Sequence, residues 1–321
     1  MANDKIRLAV ATSLREILVD ELVSRVVIDP ESGQDYGYRM GNIEHIARIL
    51  ADPRGNNHPL AQKFADAFEL AMIFHDDIPL EYEAARALVK HWPFDIKVPV
   101  DGAANAVPLE ALVTNIQSKP WRRIEDPETK GDMKKLYESR LLSSFRQRHV
   151  DLIISDSYLI IFAPIMLHGY WQTILNIHPA ITDPHDENRL PGVTPTRDAY
   201  TRAKYGWVIV DDKRRKETWP NINPIYIDYN GEKRLVVPVP KSRTTGVTVH
   251  IVDDLVDHGE VVLCRKHEFP EGTTYEGIRD RNYGIKREIL PEALLEYVGR
   301  SYIQNFIDAQ RSRWFANRQG P

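Results

Sequence analysis

The amino-acid sequence predicts an α/β protein built on a mainly parallel, twisted sheet flanked by helices, and three observations predict it. Ile6 to Ala11 is an apolar run of strand length, followed by Leu14 to Val27, where apolar residues recur at helical spacing. Leu60 to Leu70 and Pro79 to Lys90 repeat that spacing on either side of a short apolar strand, Ala71 to Phe74. Asp132 to His149 reads as a charged, amphipathic helix leading into the strand Leu152 to Ile154. Strands alternating with helices of this length pair in parallel, because a helical crossover returns the chain to the starting end of the sheet.

Other segments depart from that alternation. Pro30 to Pro59 and Asp95 to Lys130 are rich in Gly, Pro, Asn and Asp and read as insertions and loops. Ile225-Tyr226-Ile227-Asp228-Tyr229 and Lys233 to Val237 flank Asn230-Gly231, a dipeptide suited to the positive φ angles of a tight hairpin turn. An inserted β-hairpin is therefore expected over about 219–241, near the mouth of the site. Pro291 to Phe315 has helical character. The expected organisation is an N-terminal α/β half with insertions over 1–150, a core over 151–290 and a C-terminal helical extension over 291–321, in one structural domain overall.

A chain of 321 residues is ample for a buried core. Its single cysteine, Cys264, excludes an intrachain disulfide and a thiolate-built zinc site, which fits a reducing, cytoplasmic location. Cys264 follows Val261-Val262-Leu263 and reads as a small buried residue rather than a nucleophile. Lys and Arg are spread along a chain of net charge −4, so attraction to nucleic acid is not expected. The N-terminus lacks the apolar core of a signal peptide, and the most apolar window, Tyr158 to Leu167, is too short to span a bilayer. The expectation is a cytoplasmic protein with a small-molecule acceptor as partner, no nucleic acid and no membrane. Oligomeric state is not legible.

Three motifs carry chemistry. Asn176-Ile177-His178-Pro179, then Thr245-Gly246-Val247-Thr248-Val249-His250 and Val256-Asp257-His258-Gly259, put an amide, an imidazole and a carboxylate at strand ends. An Asn N–H can hold a developing oxyanion, a His near its normal pKa gives or takes a proton at neutral pH, and an Asp orients that His or accepts a proton. Acyl transfer needs those three roles. A bare Asn-x-His more often packs or caps than catalyses, so the weight rests on the combination.

Asp151-Leu152-Ile153-Ile154-Ser155, Leu159 to Pro164, Leu175 to Pro179, Leu190-Pro191-Gly192, Thr194 to Ala199, Thr245 to His250 and Asp253 to Val262 follow in a specific order and spacing. In these segments, over roughly Asp151 to Leu290, the chain resembles the folate-dependent formyltransferases, the family of phosphoribosylglycinamide formyltransferase and the catalytic domain of methionyl-tRNA formyltransferase. The resemblance implies a Rossmann-like formyltransferase fold, 10-formyltetrahydrofolate as donor, no metal, and catalytic roles for Asn176, His178 and Asp257. It also implies a pterin slot beside Leu159, Ile160, Ile161 and Phe162 and the loop residues Val252, Asp253 and Asp254. Ile160 stands where many relatives have Arg, a change tolerated if backbone groups read the pterin edge. In this scheme Asn176 and His178 hold the tetrahedral oxyanion, His178 supplies a proton, and Asp257 sets the imidazole tautomer and takes the proton lost by the attacking nitrogen. His250 occupies a family strand position and is expected to be structural. Two departures from the compact family plan are the long segment before Asn176 and the insert Trp219 to Lys241, and after Leu290 a separate C-terminal barrel like that of methionyl-tRNA formyltransferases is not expected.

The acceptor is the harder question. Members acting on glycinamide ribonucleotide hold its phosphate with a Gly- and Asn-rich loop after the first strand, where backbone N–H groups approach the anion. Here that place reads Ala11-Thr12-Ser13-Leu14-Arg15-Glu16, without glycine, although Thr12, Ser13 and the following helix N-terminus leave some anion binding open. With the long N-terminal half, this looks more like the siderophore branch, in which the hydroxylamine nitrogen of δ-N-hydroxyornithine is formylated. A small zwitterion needs a cation for its carboxylate and an acid for its ammonium; Arg189, Arg197 or Arg243 with Asp198 or Asp228 are candidates, and His258 a further contact. Hydroxyornithine ranks first, a nucleotide-linked amino sugar or other primary amine second, glycinamide ribonucleotide third. His75-Asp76-Asp77 reads as helix capping before Pro79 rather than a metal site, and Asp183 to Glu187 as a solvated loop. The non-enzyme alternative is a folate-binding sensor on the same fold.

Overall fold

The computed structural model describes residues 5–13, 25–76, 96–100, 105–158, 160–229 and 231–316. In chain order the first half contains β1 (Ile6–Thr12), β2 (Arg25–Ile28), β3 (Asp35–Arg39), α1 (Asn42–Ala51), α2 (Ala61–Ala67), β4 (Phe68–His75), β5 (Lys97–Val100), β6 (Asn105–Pro108), a 3-10 turn (Leu109–Leu112), β7 (Val113–Asn115), α3 (Lys119–Arg122) and α4 (Pro127–Gln147). Then follow β8 (Leu152–Ser155), α5 (Pro164–Gly169), β9 (Ile174–His178), α6 (Pro195–Tyr205), β10 (Trp207–Ile209) and α7 (Asp212–Thr218). The chain continues through β11 (Ile225–Tyr229), β12 (Glu232–Pro238), β13 (Thr244–Ile251), β14 (Val261–Glu268), α8 (Tyr275–Val298) and α9 (Ser301–Ala316).

Among the described residues seven strands form the central sheet, in the order β14-β13-β9-β8-β1-β4-β7. The strands from β9 to β7 in that order pair in parallel, while β13 and β14 pair antiparallel at one edge. This is the mainly parallel, helix-flanked sheet that the sequence predicts. From β1 the chain proceeds outward to β4 and later to β8 on the opposite side, so the strand order reverses between β1 and β8.

Alternate residues of the central strands feed two cores. Leu8 and Val10 of β1 and Leu152 and Ile154 of β8 belong to one cluster, shared with α1, α2, α8 and α9. Ala9, Ala11 and Ile153 belong to the other, with Tyr137, Leu141 and Phe145 of α4 and Met166 of α5. Burial on both faces explains why Ile6 to Ala11 reads as a continuous apolar run. The start of α4 is fixed by Asp126, whose side chain accepts a hydrogen bond from Thr129 N (2.8 Å), with Pro127 in the first turn. Its polar first turn carries no apolar period, so the helix begins before the expected Asp132. Among the described residues no helix is long and apolar enough to cross a membrane.

Several expected elements differ. Of the helix expected over Leu14 to Val27, residues 14–24 lie outside the described residues and Arg25 to Val27 belong to β2, paired with β3. Pro79 to Lys90 also lies outside them. The helix expected over Leu60 to Leu70 stops at Ala67, and Phe68 to His75 is one fully buried strand, which periodicity alone does not separate from a buried helix. Pro30 to Pro59 contains β3 and α1, whose Ile43, Ile46 and Leu50 enter the core, and Asp95 to Lys130 supplies β7, an edge strand of the main sheet. Short apolar spacing inside Gly- and Asp-rich stretches hides such elements. The C-terminal helical region begins at Tyr275 and carries Pro291 inside α8.

The inserted hairpin is present as β11 and β12, with Asn230 outside the described residues. None of its described residues lines the cleft at the carboxyl ends of β8 and β9. Pairing of β12 with β10 makes a three-stranded sheet, and Val208, Val210 and Val237 pack on Ala180, Leu190 and Ala199, drawing the hairpin to the flank.

Candidate active site

A cleft of about 900 Å³, open to solvent, lies at the carboxyl ends of β8 and β9. One wall is Tyr158, Ile160, Ile161 and Phe162; the other is Val252, Asp253, Leu255 and Val256; Asn176, His178, His250 and Asp257 lie between them. Strand register places three of these four. In the β9–β13 ladder His250 is the direct partner of Asn176, and Thr248 of His178. Asp257 arrives on the loop after β13 with a left-handed backbone (φ 55°), a conformation Asp tolerates better than most residues.

Two glycines make that loop and its neighbour possible. A Cβ on Gly259 would sit 1.8 Å from Ile251 O, so the loop returns only with glycine there. Gly192, at φ 103°, turns its N–H to the Asp257 carboxylate (2.7 Å to Oδ2). Arg214 holds this turn from behind by donating to Pro191 O at 2.6 Å and to Asp198 Oδ2 at 2.7 Å.

Asp257 is the hub of the site. Its Oδ1 accepts from Asn176 Nδ2 at 3.3 Å and stands 3.7 Å from His178 Nδ1 and 3.5 Å from His250 Nε2. His178 Nε2 donates to Leu190 O at 3.0 Å, which leaves Nδ1 as the nitrogen directed at Asp257. His250 Nδ1 donates to Ile251 O (2.9 Å), so its Nε2 accepts the other amide hydrogen of Asn176 at 3.1 Å. Burial alone would raise the Asp257 carboxyl, but His178 and the Gly192 N–H act against it, and the group is held well below the usual carboxylate range. Burial lowers the His178 pKa below its ordinary value, against the opposing pull of Asp257. The resting pair is thus an ionised carboxylate beside a neutral imidazole.

The structure brings together only part of the set expected from sequence. Asn176, His178 and Asp257 converge; Ile160, Ile161, Phe162, Val252 and Asp253 line the cleft; Leu159 lies outside the described residues. Asp254 is exposed and is not among the lining residues. Arg189 approaches the site, donating to His258 Nε2. Arg197 donates to Thr194 Oγ1 (3.1 Å), and Asp198 is fully buried against Arg214, so neither faces the cleft. Arg243 pairs with Glu271 on a separate groove, and Asp228 accepts from Gly231 N in the hairpin turn. Charge in a sequence does not report the direction in which a side chain points.

Three residues outside the expected catalytic set shape the site. His250 touches Asn176 and lines the cleft, and its partner across the ladder is a matter of register. Leu190 acts through its carbonyl, and Arg214 through the turn it anchors; neither has a motif signal. Elsewhere, His75 and Asp76 are buried, Asp76 accepting from Ser13 and Ser118 hydroxyls, while Asp77 and the expected cap lie outside the described residues. Asp183 to Glu187 is not wholly solvated, because the Asp186 carboxylate is mostly buried and pairs with Lys266. Half-buried Cys264 accepts from Thr248 Oγ1 (3.4 Å), away from the cleft.

A mainly parallel sheet of this order, with helices on both faces and the cleft at the carboxyl ends of β8 and β9, is the Rossmann-like fold of formyltransferases. No family model matches the chain. By sequence it is similar to the phosphoribosylglycinamide formyltransferase of Bacillus subtilis (strain 168), 19% identical over 228 residues, 63% of this chain and 95% of that protein. By structure it is similar to PvdF of pyoverdin biosynthesis, an N10-formyltetrahydrofolate-dependent formyltransferase, with TM-score 0.66, 22% identity and coverage of 91% of this chain and 98% of that one. Glycinamide ribonucleotide transformylase 1 from Symbiobacterium toebii gives TM-score 0.50 at 19% identity, covering 93% and 90% respectively.

Proposed function

We propose that this protein transfers the formyl group of 10-formyltetrahydrofolate to a nitrogen acceptor, the hydroxylamine of δ-N-hydroxyornithine. The observation that carries the transfer is the convergence of Asn176, His178 and Asp257 on one cleft with apolar walls. The donor, when bound, supplies a formyl carbon and a leaving nitrogen. Ile160, Ile161, Phe162 and Val252 offer a flat ring an apolar slot and keep water from the reacting carbon. Asn176 exchanges its long contact with Asp257 for the developing oxyanion, while His250 keeps the second amide hydrogen.

His178 moves the proton through Nδ1, because Nε2 is engaged by Leu190 O; that carbonyl, rather than the expected Asp257, fixes the tautomer. Nδ1 takes the proton of the attacking nitrogen as the new C–N bond forms, Asp257 stabilises the resulting imidazolium, and the proton passes to the departing nitrogen as the old C–N bond breaks. The products are the formylated acceptor and tetrahydrofolate.

Two features support hydroxyornithine. Thr12 Oγ1 donates to Asp156 O (2.9 Å) and Ser13 Oγ to Asp76 Oδ1 (2.7 Å), so the hydroxyls at the end of β1 are engaged inside the protein where a phosphate cradle would need them. A hydroxylamine is also far less basic than an alkylamine and is unprotonated at neutral pH, which suits a neutral imidazole as base. The likeness to PvdF is in accord with this acceptor. Glycinamide ribonucleotide is the second reading, favoured by the sequence similarity spanning 95% of the Bacillus subtilis enzyme. Release of tetrahydrofolate with hydroxyornithine, ornithine, glycinamide ribonucleotide and amino-sugar nucleotides tests both. A higher kcat/KM for the ribonucleotide overturns the hydroxyornithine reading; folate binding without turnover on any acceptor indicates a sensor.

A further inference from the structure

The wall segment between β8 and α5 is tied to β1 at its start, where Asp156 N donates to Ala11 O at 3.0 Å, and further along it is held by side chains of α4. Lys134, Tyr137 and Glu138 share one face of that helix at the i, i+3, i+4 spacing. Lys134 Nζ donates to Ile161 O at 3.0 Å, the Tyr137 and Tyr158 hydroxyls meet at 2.7 Å, and Glu138 accepts from Ala163 N at 3.1 Å. Three successive contacts thus bracket Ile160, Ile161 and Phe162, the residues that form one side of the cleft.

The identity of Glu138 is informative. It is fully buried, and its second oxygen, Oε2, has no hydrogen-bond partner among the described residues. Burial without full pairing is costly for a carboxyl group, and an apolar residue would fill the space without that cost. What an apolar residue lacks is an acceptor for Ala163 N, the residue that caps α5 and ends the wall.

We propose that Lys134, Tyr137 and Glu138 are positioning residues that fix the cleft wall and thereby set affinity for the flat heteroaromatic ring of the donor. This rests on the reading of the cleft as the donor site. The three residues touch the wall and not the reacting groups, so their effect falls on donor binding while the steps at Asn176 and His178 continue.

The test uses the full chain carrying Glu138→Ala, Glu138→Gln, Lys134→Met or Tyr137→Phe. Amide hydrogen exchange over residues 160–163 reads the clamp without any ligand, and kcat and KM for 10-formyltetrahydrofolate, with calorimetric binding of tetrahydrofolate, read its consequence. Glu138→Ala and Lys134→Met are expected to speed exchange and to raise donor KM and Kd about tenfold, with kcat within twofold, acceptor KM unchanged, and a smaller rise for Tyr137→Phe. Glu138→Gln, which keeps an acceptor for Ala163 N, is expected to stay within twofold of the parent. Unchanged exchange in folded Glu138→Ala and Lys134→Met overturns the clamp; if Glu138→Ala does not fold, half-buried Lys134→Met decides alone. Faster exchange with unchanged donor affinity, or a Glu138→Gln protein as impaired as Glu138→Ala, overturns the positioning role. If the parent protein binds no folate, the donor reading fails instead, and the exchange result still decides the clamp.

Discussion

His250 Nε2 stands 3.1 Å from Asn176 Nδ2, its direct partner across the β9–β13 ladder. Because the Nδ1 hydrogen goes to Ile251 O, Nε2 acts as an acceptor and turns the nitrogen end of the amide toward the cleft. His250→Ala is expected to lower kcat about fivefold, the worth of one hydrogen bond near 1 kcal/mol, with little change in either KM. A kcat equal to that of the parent would return His250 to a purely structural role.

His178→Ala and Asp257→Asn act on the proton path itself. Each is expected to reduce turnover by about two to three orders of magnitude at saturating donor, while the folded state survives. Circular dichroism checks the fold and a stopped assay of tetrahydrofolate checks the rate. Near-parental turnover in either variant is incompatible with the assigned roles. The sign of the pH dependence follows from the same pair. Asp257, held below its unfolded value, stays ionised through the neutral range; the acid limb of the rate therefore reports protonation of His178 and falls below its ordinary pKa of 6.5.

Glu138 makes stability depend on pH in the opposite sense to an ion-paired acid. Burial raises its pKa from 4.5 to about 7, so the neutral form is favoured in the folded chain. The stability this gives is fully present below pH 4.5 and lost as pH rises through 7. Relative to Glu138→Gln, the parent protein is expected to lose on the order of 3 kcal/mol between those limits. Urea unfolding of both proteins at pH 4.5, 6 and 8 measures it, and a constant difference across the series refutes the assignment.

Lys286 and Asp156 form an ion pair at 3.1 Å between α8 and the end of β8, each side chain only 1% exposed. Asn42 Nδ2 donates to the second oxygen of Asp156 at 2.8 Å. Lys286→Met leaves a buried carboxylate without its cation and is expected to destabilise the fold by about 3–5 kcal/mol, whereas adding Asp156→Asn recovers much of that loss. A double variant destabilised by the sum of the Lys286→Met and Asp156→Asn effects, measured by denaturation, would show that the two side chains are not coupled.

Local pattern made a large part of this protein legible. The apolar run of β1, the period of α4 and the Asn-Gly hairpin signal each report burial or turn geometry within a few residues, so sequence alone determined the α/β class and the presence of β11 and β12. The Asn-x-His and Asp-x-Gly motifs were legible for the same reason, since each is a strand end or turn with its chemistry beside it. Register and direction were not. That His250 faces Asn176, that Leu190 O engages His178, that Arg214 turns Asp198 away from the cleft, and that α4 reaches the wall through Glu138 are contacts between segments distant in sequence. The same long-range packing sent the hairpin to the flank and Arg243 to another groove. A side chain's type is written in the sequence, but what it points at depends on which strands pair and which loops return. Only the tertiary structure decides that, because those pairings are selected by the burial of the whole sheet rather than by any one segment.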